Sequence, residues 1–219
     1  MEALILYLVL FFPGIYMGLV SPPLAGEALT IQFSLVWELN RIIIYTLPAL
    51  ALLWYIVLGK KNFSSLKPQK PRQQDVFSLG IGLFGLILIG IGISFVISLY
   101  SRHYGLPEPP KIEAPQGLAA WIVMVFACLS IGYLEESYFR YYLLTKLDNY
   151  NLPSKVILST LLFAFGHIHD GPFGIINALL AGILLSVLFI RYRSLHGIAL
   201  AHGFYNIFVY TMGLFIRFG

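Results

Sequence analysis

The sequence predicts an all-α, polytopic integral membrane protein: a helical bundle of about seven transmembrane segments. Three observations carry that prediction. Apolar residues make up 58% of the 219 residues and charged residues only 11%, against roughly 25% charged in an ordinary soluble domain. Mean hydropathy is +0.82, so a soluble surface could not be covered. Several apolar runs are near 20 residues, the length that crosses a hydrocarbon core of about 30 Å, where a helix satisfies its own backbone. The length suits a single membrane domain, residues 1–219. The net charge of +4 does not point to nucleic acid, because the basic residues fall between apolar runs rather than in one patch. Cys128 is the sole cysteine, which excludes an internal disulfide and a four-cysteine metal cluster. Met1-Glu2 gives no positive start, and no small-x-small site follows the first apolar run, so a cleaved signal peptide is not expected.

Taken in order, the first segment is expected over Leu4–Val20, closed by Ser21-Pro22-Pro23, and the second over Leu35–Leu58. The third, Val76–Tyr100, holds Gly80, Gly82, Gly85, Gly90 and Gly92. Small residues at such intervals let neighbouring helices approach closely. A stiff connector with Pro107, Pro109, Pro110 and Pro115 follows, and no helix is expected in it. The fourth segment starts near Gly117 and continues to Leu147. The fifth covers Ser154–Ile168 and is short, the sixth Phe173–Ile190 and the seventh His196–Ile216. No internal repeat is evident, which counts against a transporter.

Positive charge sets orientation. The stretch from Gly59 to Asp75 carries Lys60, Lys61, Lys67, Lys70 and Arg72 against a single acid, Asp75, and is therefore expected in the cytoplasm. Lys146, Lys155, Arg191 and Arg193 then fall on the same side, with Arg41 and Arg217 as minor exceptions. The pattern puts the N-terminus in the cytoplasm, the C-terminus outside, and the protein in the plasma membrane.

Ionisable groups within a span are costly and by default mark a functional site. Here they fall in the second half, in EESYFR (Glu135–Arg140), FAFGHIHD (Phe163–Asp170) and HGIALAHGFYN (His196–Asn206). At 1.5 Å per residue, Glu135 lies about 18 Å and His167 about 20 Å from the cytoplasmic ends of their helices, with His202 and Asn206 at roughly 9 and 15 Å. Three helices thus bring polar groups to similar heights. Glu136 and Arg140 are spaced i,i+4 and are expected to pair. Glu135, turned about 100° away, is left for chemistry. His202 and Asn206 share a face, whereas His169 is expected to point nearly opposite to His167.

The chemistry this suggests is hydrolysis. Glu135 can exchange protons with a water that His167 helps to hold, and His202 and Asn206 offer N–H donors to a developing oxyanion. No serine or cysteine nucleophile stands with a base beside it, so direct attack by water is the economical route. Glu135, His167 and His202 would also make a plausible zinc set. Without an H-E-x-x-H pattern, spacing alone leaves zinc open.

The motifs EExxxR (Glu135, Glu136, Arg140), FxxxH (Phe163, His167) and HxxxN (His202, Asn206) follow in this order within polytopic apolar sequence. In this the chain resembles the CAAX-protease and bacteriocin-processing family of membrane endopeptidases. The resemblance covers about Gly117 to Val209, a catalytic core of residues 117–209. It implies an intramembrane glutamate peptidase working without a cofactor. Glu135 would activate water, Glu136 would be held by Arg140, and His167 would steady the water. His202 and Asn206 would stabilise the oxyanion, with Phe163 as support. The implied partners are membrane lipids and a peptide or lipidated (CAAX-like) protein substrate, reached from the cytoplasmic side or from lipid. The alternative within the family is a non-catalytic scaffold or a bacteriocin-immunity protein.

Overall fold

The computed structural model describes residues 2–20, 30–31, 33–59, 72–104, 111–147 and 149–218. Each apolar run forms a helix: α1 Glu2–Val20, α2 Leu35–Gly59, α3 Gln73–Tyr104, α4 Leu118–Lys146, α5 Leu152–Gly166, α6 Gly171–Tyr192 and α7 Leu195–Phe218. Helices α1 to α4, and α6 with the short turn before it, are long and apolar enough to cross a membrane. Helix α5 has only 15 residues, as its short apolar run indicates. The prolines at 107, 109 and 110, the Ser21-Pro22-Pro23 stop and the lysines at 60, 61, 67 and 70 lie outside the described residues. A two-residue parallel pairing of Thr30–Ile31 with Lys111–Ile112 ties the approach to α2 to the approach to α4, which no sequence pattern announces.

Local chemistry sets the ends of the helices. Asn151 caps α5 by accepting from the Ser154 amide at 2.9 Å, satisfying one orphan donor of the first turn. Helix α6 stops where Arg193 enters the left-handed region at φ 50°. Ser194 then caps α7 through the Gly197 amide at 3.1 Å. The Ser194 hydroxyl also donates to the buried Asp75 carboxylate, which accepts from the Arg72 amide at 2.6 Å. The starts of α3 and α7 are thereby clasped side by side.

Contacts also join the ends of helices far apart in sequence. Glu2 at the start of α1 meets Tyr142 at 2.9 Å and Lys146 at 3.8 Å near the end of α4. Arg72 donates to the Arg193 carbonyl at 2.7 Å. Arg41, an exception to the charge rule, is paired within its own helix to Glu38 at 2.5 Å.

Helix α4 is the centre of the bundle. Every residue from Leu134 to Leu144 is buried, Glu135, Glu136, Ser137 and Arg140 included. On one side, Tyr138 and Phe139 meet Tyr7 and Phe11 of α1, with Phe11 and Phe139 centroids 4.9 Å apart. Two stretches, Arg41–Thr46 in α2 and Ser137–Leu143 in α4, widen into π-helix, a form frequent at functional sites.

Glycines bring the polar helices together. A Cβ on Gly132 would stand 2.9 Å from the Ala199 carbonyl, and one on Gly203 would stand 2.9–3.1 Å from Leu129 and the Cys128 carbonyl. Helices α4 and α7 therefore cross almost backbone to backbone. On α3, Gly82, Gly85 and Gly90 accept Ala201, Leu184 and Tyr205 respectively, whereas Gly80 and Gly92 face nothing within 4 Å. The glycine stripe is thus a packing surface over part of its length. Gly203→Ala should lower stability by about 1–3 kcal/mol through overpacking, while Gly92→Ala should leave it unchanged or slightly raised. Thermal unfolding of the detergent-extracted variants measures the difference.

Candidate active site

The backbone contact at Gly132 and Gly203 sets the two glutamates of α4 against His202 of α7. Glu136 Oε1 accepts from Arg140 Nη1 at 3.0 Å and pairs with His202 Nδ1 at 2.9 Å. Glu136 and Arg140 are both fully buried. Arg140 Nη2 also donates to the Gly182 carbonyl of α6 at 3.4 Å. Its guanidinium lies 4.3 Å from the centre of the Phe163 ring and 5.7 Å from that of Phe139. In a dry site, aromatic faces of this kind attract a cation. Phe163 is therefore the platform under the arginine.

Glu135 occupies a different environment. It makes no ion pair with Arg140 among the described residues, and its Oε2 faces His202 Nε2 at 3.6 Å. The imidazole of His202 thus stands between the two carboxylates, using one nitrogen toward each. The angular sorting of Glu136 to Arg140 and Glu135 away from it agrees with the helical spacing. The hold of Glu136 on His202 is additional, because a contact between distant helices leaves no mark on spacing within either.

His167 follows directly after α5; among the described residues it makes no hydrogen bond or ion pair with Glu135 or His202 and reaches the group through Phe163. Its Nδ1 is 2.9 Å from the Phe163 carbonyl, and its ring is 4.5 Å from the Phe163 ring. A hydrogen bond from Nδ1–H to a carbonyl fixes the neutral tautomer, which leaves Nε2 as an acceptor. The His202 ring lies 6.0 Å from Phe163 on another side, so Phe163 touches three of the polar residues. Asn206, one turn beyond His202, is half-buried and makes no side-chain hydrogen bond to another described residue.

His169 needs a correction. It does not point away from His167: the two rings are stacked, 6.1 Å apart and 20° from parallel. The cause is that α5 ends at Gly166, and Ile168–Asp170 forms a 3-10 turn, so α-helical angles do not apply there. His196 meets the Tyr133 hydroxyl at 3.1 Å. Cys128 is buried beside Met124, as a small apolar filler would be.

Among the described residues, no three His, Cys, Asp or Glu side chains converge in the arrangement of a metal centre. A cavity of about 460 Å³ lies elsewhere, lined by Phe33, Leu35, Glu113, Ala114 and residues 116–120. The glutamate–histidine group does not line it and is nearly closed, with Glu135 9% and His202 7% exposed. Sequence reasoning missed Gly203 and Gly182. The signal for Gly203 was present in the small residues Ala199, Ala201 and Gly203 around His202, whereas Gly182 contributes a carbonyl, for which no side chain speaks.

Residues 117–208 match the Rce1-like family of type II CAAX prenyl endopeptidases. This segment, from the approach to α4 into α7, is similar to that family, the same likeness that the three motifs indicate. No curated protein and no solved structure matches the chain.

Arg140→Ala should remove the partner of a fully buried carboxylate, at a cost of about 3–5 kcal/mol. Adding Glu136→Gln to Arg140→Met should recover part of that loss, since no buried charge is then left alone. The fraction of each variant that elutes as folded protein in size-exclusion chromatography measures both outcomes.

Proposed function

From a core of the type II CAAX prenyl endopeptidase kind, we propose that this chain is an intramembrane endopeptidase that hydrolyses a peptide bond with a glutamate-activated water. The observation that carries the reading is the unequal treatment of adjacent carboxylates. Glu136 is occupied by Arg140 and His202, while Glu135 faces only one imidazole nitrogen of His202 within the group.

Charge balance supports the division of roles. With Arg140 cationic and Glu136 anionic, the group is neutral when Glu135 and His202 hold one proton between them beyond the Nδ1 proton of His202. Neutrality is the favourable state where charges are poorly solvated. In the proposed reaction, a water between Glu135 and His167 attacks the substrate carbonyl carbon and gives a proton to Glu135. The carbonyl π electrons move to oxygen, where His202 Nε2–H and the Asn206 amide donate to the oxyanion. The C–N bond then breaks, and the departing amine takes the proton from Glu135. Each group returns to its starting state. Such donors are worth about 10²–10³-fold in turnover each.

The substrate proposed is a membrane-associated peptide, with lipidated CAAX-like proteins among the candidates. The reaction needs no metal in this scheme, because proton transfer by Glu135 replaces metal activation of water. The contact of Arg72 with the Arg193 carbonyl and of Lys146 with Glu2 fits a cytoplasmic N-terminus under the positive-inside rule, and a plasma membrane is the location proposed.

Glu135→Gln should abolish cleavage while leaving folded protein at its normal amount. His202→Ala and Asn206→Ala should slow turnover by about 10²–10³-fold. Peptide profiling of membranes carrying the wild type or Glu135→Gln, normalised to folded protein, is the measurement. If no peptide differs and the cellular phenotype persists in Glu135→Gln, a non-catalytic scaffold or immunity role replaces the peptidase. Incubation with a strong chelator should leave the cleavage rate unchanged. Loss on chelation and recovery with zinc would overturn the metal-free scheme.

A further inference from the structure

On α4, α5 and α6, seven buried side-chain atoms have no hydrogen-bond partner among the described residues: Glu136 Oε2, Arg140 Nε, Ser137 Oγ, Tyr141 Oη, Thr145 Oγ1, Thr160 Oγ1 and Ser186 Oγ. Glu136, Arg140 and Ser186 are fully buried, Ser137 is 1% exposed and Thr160 3%. Leaving one such atom dry costs about 1–3 kcal/mol, so seven dry ones would burden a small protein heavily.

Their arrangement is ordered. Around Gly182 of α6, three helices converge. The Gly182 carbonyl accepts from Arg140. A Cβ built on Gly182 would meet Thr160 Oγ1 at 3.4 Å, and Ser186 lies one turn further along α6. The open valences are complementary, since Arg140 Nε can only donate, Glu136 Oε2 can only accept, and the hydroxyls do both. From there Ser137, Tyr141 and Thr145 follow at i, i+4 and i+8 down α4. They run toward Lys146, which ends α4 at the rim of the bundle. The stripe runs along the π-helical stretch Ser137–Leu143.

We propose that these side chains bind a file of internal water, which leads from the Thr145 end of α4 to the rear of the Glu136–Arg140 pair. A buried water needs two to four polar partners; Glu136 Oε2, Arg140 Nε and the unpartnered hydroxyls supply them, outside the tight contact of Gly182 with Thr160 and Phe163. If the peptidase reading holds, on which the purpose of the file rests, it brings the hydrolytic water from the side opposite the substrate. An apolar substrate lying across Glu135 from the lipid would otherwise block access to water.

Radiolytic hydroxyl-radical labelling in ¹⁸O water, on the full-length protein in detergent, tests this without reference to activity. Tyr138 is the internal control: it is buried on the other side of α4, with its hydroxyl on the Ala3 carbonyl at 2.6 Å. Tyr141 is 7% exposed against 0% for Tyr138, so the file is read from the several-fold faster labelling of Tyr141 that depends on Thr145. Thr145→Val, an isosteric plug at the rim, should reduce Tyr141 labelling and leave the unfolding temperature close to that of the wild type. In a peptide-cleaving protein it should lower kcat several-fold with KM unchanged. Tyr141 labelling equal to that of Tyr138 or unchanged by Thr145→Val, together with higher unfolding temperatures for Thr160→Val and Ser186→Ala, would show these atoms to be dry and overturn the proposal. Thr145-dependent labelling in a protein that cleaves nothing would uphold the water file and remove the peptidase reading.

Discussion

The carboxylate of Glu136 is the interaction on which the rest of the site depends. It is fully buried, and one of its oxygens serves both Arg140 and His202. A buried ion pair adds little net stability but cannot be broken cheaply. Its value here is positional: it fixes the rotamer of an arginine on α4 and the ring plane of a histidine on α7 at once. Arg140 carries the constraint further, to the Gly182 carbonyl on α6 and the Phe163 ring on α5. Four helices are therefore registered through one anion and its cation.

That registration is possible only because the backbones come close. Gly132 and Gly203 remove the side chains that would hold α4 and α7 apart, and α3 supports α7 from behind through Gly82 and Gly90. Within a bilayer, burying apolar surface between helices gains little over contact with lipid, so close packing and polar contacts must supply the adhesion. The clasp of Asp75 to Ser194 sets the height at which α7 starts. His202, two turns further along, inherits that height.

Much of this was legible in the residues and some was not. Seven apolar runs, the pairing of Glu136 with Arg140 and the distinct direction of Glu135 follow from helical periodicity, because each concerns one helix. The bridge of His202 between two carboxylates and the seat of Arg140 over Phe163 are contacts between helices far apart in sequence, to which periodicity is blind. The misreading of His169 has a local cause: Gly166 ends α5 one residue before His167, and a 3-10 turn has a tighter period than the α-helix assumed. The π-helical stretches were illegible because nothing in RIIIYT or SYFRYYL departs from an ordinary apolar helix.

Adjacent glutamates on one helix solve a problem that a single acid cannot. A carboxylate that is to exchange protons must keep an unsatisfied oxygen, yet in a low-dielectric interior an unsatisfied anion drives its own rearrangement. Neighbouring positions on an α-helix differ by about 100°, enough to give two carboxylates different surroundings while both reach the same imidazole. Glu136 takes the fixed cation and anchors His202 through Nδ1; Glu135 meets the same ring through Nε2 at a looser 3.6 Å. The ring is thus held by one acid in the position where it can exchange a proton with the other. A one-residue shift of either glutamate would rotate it away from the histidine or onto the arginine. The order Glu-Glu-x-x-x-Arg thus gives, in this fold, one carboxylate held by the cation and one left facing only the imidazole.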